Sequence, residues 1–141
     1  MTTNPTPPMD NPLLDYLGIR LVSIGPDRCT FELDVEPRHL NRQGSLQGGV
    51  TATLLDAACG YAGLHDELGS LGHAVTVTLS ISYISKVSAG RLSAIGSVTK
   101  AGRSLYFASG ELVNESGELV ATAQGAFKRS RLVQQEHRDA A

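Results

Sequence analysis

Gly48-Gly49-Val50-Thr51-Ala52-Thr53-Leu54-Leu55-Asp56-Ala57-Ala58-Cys59-Gly60-Tyr61-Ala62 is the stretch on which the fold turns. It reads as a helix of about four turns. Val50, Ala52, Leu54, Leu55, Ala57, Ala58, Cys59, Tyr61 and Ala62 spread apolar surface almost all the way round it. A helix apolar on every side belongs in an interior, and this one is too short to span a membrane. Asp56 is its only charge. A carboxylate in such surroundings is costly unless it has partners or a chemical task. The helix opens on two glycines, which leaves backbone N–H groups accessible at its positive end. Together these features suggest a site that polarises an oxygen and steers a water.

Outward from the helix, the clearest strand is Ala74 to Ile84. Val75, Val77, Leu79, Ile81 and Tyr83 alternate with Thr76, Thr78, Ser80 and Ser82, the period of a half-buried strand. The apolar set is expected to pack on the helix. Three further strands are expected at Arg91 to Lys100, Leu105 to Asn114 and Leu119 to Lys128. Their short turns imply an antiparallel meander. Upstream, Ile19 to Ile24 and Cys29 to Val35 read as strands around the turn Gly25-Pro26-Asp27. A short helix precedes them, capped by Asp10 or Asn11, with Pro12 in its first turn and Gly18 at its end. Pro37 to Gln47 is a polar loop feeding the central helix.

The expected architecture is α+β, an antiparallel β-sheet of five to six strands wrapped around one long central helix. Residues 1–10 read as a disordered tail, 11–129 as the domain and 130–141 as a C-terminal tail. The chain has 141 residues, which suits one domain. A net charge of -2 gives no electrostatic case for nucleic acid as a partner. Cys29 and Cys59 form no CxxC and no disulfide framework. The start, Met1 to Pro8, lacks the basic and apolar regions of a signal peptide, so a cytoplasmic setting is expected. His39, His65, His73 and His137 have no metal-binding spacing, so no metal is expected.

The segment His39-Leu40-Asn41-Arg42-Gln43-Gly44-Ser45-Leu46-Gln47-Gly48-Gly49-Val50, continuing to Asp56, resembles the motif of hotdog-fold acyl-CoA thioesterases. The phenylacetate-pathway (PaaI-type) branch is the nearest in pattern. The strand from Val75 to Tyr83 resembles that family's long central strand, and the resemblance runs from about Leu13 to Lys128. It implies hydrolysis of an acyl- or aryl-acyl-CoA to free acid and CoA, with coenzyme A as part of the substrate and no separate cofactor. It also implies a homodimer, often a dimer of dimers, with no membrane partner.

By this resemblance Asp56 is the nucleophile or general base, and the Gly48 N–H is the oxyanion donor. Asn41 would help place the carbonyl or the water. The family's usual His is replaced by Gln47, which can hydrogen-bond but cannot titrate. Thr76 stands where the family often has a Ser or Thr holding the water. The strand period places Thr76 on the face away from the helix, so a bulge or a second subunit has to bring it to the site. Arg103, in a hairpin turn, and Lys86 are candidates for the CoA phosphates. A hotdog enoyl-thioester hydratase and a non-catalytic acyl-CoA-binding module are the alternative readings. The first usually pairs a carboxylate with a His, and the central helix contains none.

Overall fold

The computed structural model describes residues 11–65 and 71–130. The expected tail at 1–10 and residues 131–141 of the expected C-terminal tail at 130–141 lie outside the described residues, as does His137, whereas Ser130 is the last residue of the final strand. Helix α1 (Pro12–Leu17) starts where Asn11 accepts the Leu14 N–H and stops at Gly18, whose φ of 79° suits glycine. Strands β1 (Arg20–Gly25) and β2 (Arg28–Asp34) form a hairpin. A 3₁₀ turn, Pro37–His39, leads through the loop to helix α2 (Gly48–Ala62). Strands β3 (His73–Tyr83), β4 (Arg91–Ala101), β5 (Leu105–Val113) and β6 (Leu119–Ser130) complete the chain.

All six strands join one sheet in the order β1-β2-β4-β5-β6-β3, and every pairing is antiparallel. The meander is real for β4, β5 and β6. Strand β3, whose partner the turn signals left open, crosses over to pair with β6 at the far edge. Hairpin turns report sequence neighbours, and they carry no information about a strand that follows a helix.

The sheet curls round α2. Leu54, Leu55, Ala58, Cys59 and Ala62 are buried against Phe31, Leu92, Ala94, Tyr106 and Leu112. Two glycines let the helix lie this close. A Cβ at Gly96 on β4 would collide with the Ala58 carbonyl, and one at Gly110 on β5 would reach 2.8 Å from the Cys59 sulfur. The expectation of an all-buried helix is corrected on one side. Gly49 is exposed, and Ala52, Thr53, Asp56 and Gly60 are only half-buried, so one face of α2 remains open along its length.

Candidate functional site

The open face of α2 runs antiparallel to the edge strand β3, and two side chains of β3 mark its ends. The Tyr83 hydroxyl donates to the Gly48 carbonyl at 2.9 Å. About two turns further along the helix, the Thr76 hydroxyl donates to Asp56 Oδ1 at 2.7 Å. The β3 register explains how Thr76 gets there. Thr76 pairs with the buried Phe127, whereas Leu79, Ile81 and Tyr83 pair with Gly125, Ala123 and Ala121 on that same inward face. A bulge between Thr76 and Thr78 absorbs one residue and reverses the alternation. Val75 and Val77, expected on the helix, are therefore exposed. The unbroken period-2 pattern concealed the bulge because apolar and hydroxyl residues continue to alternate straight through it.

Asp56 is thus a half-buried carboxylate with one oxygen held by a charge-assisted hydrogen bond. Its Oδ2 has no partner among the described residues. Beside it a cavity of about 200 Å³ runs towards α1 between Gly60, Tyr61 and Phe127.

At the helix start, Val50 and Thr51 N–H both reach the Gln47 carbonyl, at 2.9 and 3.2 Å. The Gln47 side-chain oxygen accepts the Gly48 N–H at 3.1 Å. The donor expected to be open is therefore held by its own neighbour, and Gly49 N–H is left with no acceptor among the described residues. Gln47 is exposed, so its side chain can swing aside without disturbing the core. Asn41 organises the loop, because its carboxamide oxygen accepts the N–H of Gln43 at 2.9 Å and of Ser45 at 3.1 Å. This is an Asx-type arrangement.

His39, which precedes this loop, is fully buried. Its Nδ1 accepts the Glu36 N–H and its Nε2 donates to the Leu17 carbonyl, which ties α1 to the loop. No cluster of three potential metal ligands occurs among the described residues. Burial pushes the thiols of Cys29 and Cys59 up to about 12, with a smaller push from Cys59 on Cys29 and from Asp56 on Cys59. Neither thiol is a nucleophile at neutral pH.

Arg103 and Lys86 do not converge within one chain. Arg103 precedes Leu105, which pairs with Lys128 beside Val75, near the start of β3. Lys86 follows the other end of β3, where Tyr83 pairs with Ala121. The strand's alternation assigns Tyr83 only to the apolar set expected to pack on the helix. Nothing local in the sequence links it to Gly48, thirty-five positions away.

A family model described as the thioesterase superfamily matches residues 43–121. Human acyl-coenzyme A thioesterase 13 is 40% identical over 105 residues, covering 73% of this chain and 74% of the relative. The mouse protein of the same name is 38% identical over 105 residues, with the same shares covered. The E. coli PaaI protein from the phenylacetic acid degradation operon superposes with a TM-score of 0.77 at 25% identity, covering 86% of each chain. A conserved protein of Pseudomonas aeruginosa superposes with a TM-score of 0.80 at 28% identity, covering 86% of this chain and 96% of the other.

Proposed function

This chain belongs to the thioesterase superfamily, with its hotdog fold, and from that premise we propose that it is an acyl-CoA thioesterase. The reaction is R–CO–S–CoA plus water giving a carboxylic acid and CoA. The observation that carries this reading is the Asp56–Thr76 pair at the mouth of a largely apolar cavity.

Thr76 holds one oxygen of the carboxylate, and Asp56 lines the cavity. Held in this way, Asp56 acts as a general base. It takes a proton from a water whose oxygen attacks the thioester carbonyl. Negative charge builds on the carbonyl oxygen, which replaces the Gln47 side chain at the Gly48 N–H. The Gln47 amide nitrogen can donate to the same oxygen and so serve in place of an imidazole. Collapse of the tetrahedral intermediate breaks the C–S bond, and the CoA sulfur leaves with the proton that Asp56 collected. Asn41 contributes by shaping the loop that presents Gln47. This route needs no metal and no redox cofactor.

The site is completed by a second copy. Among the described residues, strand β3 ends the sheet with an unpaired edge, and Val75, Val77, Tyr83 and Ile84 are exposed there. Antiparallel pairing of two β3 edges about a two-fold axis sets the Thr76 end of one strand beside the Tyr83 end of the other. It places Asp56 of one chain near Gly48 of its neighbour. The same operation brings Arg103 of one copy and Lys86 of the other to one end, where they bind the CoA phosphates. On the outer face, Val75, Leu105 and Phe107 leave apolar surface for joining two such dimers. Two unpaired, buried thiols suit a reducing, cytoplasmic setting. Among the described residues, no helix is long and apolar enough to cross a membrane.

The test is thiol release from a panel of acyl-CoAs by the wild-type chain and by Asp56→Asn. Loss of at least about 10²-fold in kcat with an unchanged circular dichroism spectrum is expected. Near-normal turnover by folded Asp56→Asn refutes the assignment. Hydration of crotonyl-CoA without hydrolysis shows a hydratase, and binding without turnover shows a binding module.

A further inference from the structure

The cavity beside Asp56 ends on an element with no part in the chemistry. Its walls are Gly60, Tyr61 and Phe127 on one side and the first turn of α1, with Leu13, on the other. The acidic end is the Asp56–Thr76 pair. Gly60 lies four residues after Asp56, one helical turn along the same face. It has no side chain to occupy the space. A Cβ there would stand 3.3 Å from the Phe127 ring and would project into the cavity floor.

Among the described residues, the tertiary anchors of helix α1 gather towards one end. Leu14 is buried, the Leu17 carbonyl is held by His39 and the Tyr16 carbonyl is held by Arg38. These anchors lie at or beyond its middle. Leu13, by contrast, is 56% exposed and lines the cavity. A six-residue helix has little stability of its own, so its tertiary anchors set where this wall stands.

The geometry points to a substrate-selecting role for this cavity, with Gly60 and Leu13 as its specificity-determining residues. The inference rests on the acyl-CoA reading. With the thioester carbon beside Asp56, the R group of the acyl chain lies along Gly60, against the Phe127 ring, and its far end meets Leu13. Gly60 sets the width one turn from the reacting carbon, and Leu13 sets the length. The size of the cavity favours a compact apolar R group. Apolar cavities of roughly 150 Å³ take up a benzene ring, and this one measures about 200 Å³. A longer acyl chain meets Leu13 in the first turn of α1.

The test is the ratio of kcat/KM values across straight-chain acyl-CoAs from acetyl to palmitoyl, in wild type, Gly60→Ala and Leu13→Ala. One added or removed methylene-sized group in an apolar pocket changes selectivity by about tenfold. Gly60→Ala is expected to lower kcat/KM for bulky R groups about tenfold relative to acetyl-CoA. Leu13→Ala, at an exposed position that leaves the core intact, is expected to move the optimum to longer chains. An unchanged profile in both variants, with turnover intact, overturns the inference and leaves the thioesterase reading standing. If the wild-type chain hydrolyses none of the panel, the thioesterase reading fails, and the cavity is judged without turnover. Free octanoate should then shift the Leu13 methyl resonances, and the absence of a shift overturns the inference.

Discussion

Sharing of each active site between two chains can be tested by complementation. Gly48 and Asp56 are eight residues apart on α2, which is about 12 Å along a helix. Reacting groups must approach to about 3–3.5 Å. One carbonyl therefore cannot be served by both residues of one helix. The structure adds that these residues sit under opposite ends of the edge strand, at Tyr83 and Thr76. Gly48→Pro removes the donor without removing the helix, because proline is favoured at the first helical position. Gln47 already holds the extended conformation, φ −61° and ψ 133°, that a following proline requires. A side chain at Gly48 would meet Tyr83 at an ordinary 3.6 Å. Asp56→Asn removes the proposed base. Each variant alone is expected to be folded, dimeric and inactive. When the two are unfolded together and refolded at equal amounts, about half the dimers are mixed, and each mixed dimer has one intact site of two. About a quarter of wild-type kcat should then return. Full inactivity of isolated mixed dimers would refute the shared site.

Three further outcomes are expected. Thr76→Val keeps the β-branched shape and deletes the hydrogen bond to Asp56. Loss of a bond to a charged group costs about 1.5–3 kcal/mol, so kcat should fall at least about tenfold and Tm by several degrees, the chain remaining folded at the assay temperature; equal kcat would show that Thr76 does not position the carboxylate. Gly96→Ala drives a methyl into the Ala58 carbonyl, and overpacking of this kind costs about 1–3 kcal/mol or more. Its Tm, followed by circular dichroism, should drop by several degrees or the chain should fail to fold, and an unchanged Tm would contradict the close helix–sheet contact. Cys29, Cys59 and Tyr106 all have protonated forms favoured by burial, with values pushed up to about 12. The unfolded chain releases these protons first, so this contribution to stability is complete below about pH 9 and is lost as pH rises towards about 12. Denaturant midpoints should fall across that range, and native thiols should resist iodoacetamide at pH 8. Rapid labelling of the folded chain would argue against the burial.

Local residue chemistry along the sequence set most of the elements and singled out the candidate site residues on them. Apolar residues round the 48–62 segment require an interior helix, because that much apolar surface has no other place to go. Asn11, Pro12 and Gly18 delimit α1 by the hydrogen bonds and φ values each residue type permits. The lone Asp56 in such a helix already marked a candidate site. These are local properties, set by side-chain chemistry and spacing. Only the tertiary structure decided where the pieces meet. The crossover of β3 to the far edge depends on which sheet edge is free after α2 has packed. The bulge at Val77 depends on strand pairing, and it alone turns Thr76 from the outer face to Asp56. Gln47 closing over the Gly48 N–H, Tyr83 on the Gly48 carbonyl, and Leu13 against the cavity join residues that the sequence holds apart or gives no reason to connect. Contacts of this kind follow from how helix and sheet pack, and a residue pattern read along one chain has no term for them.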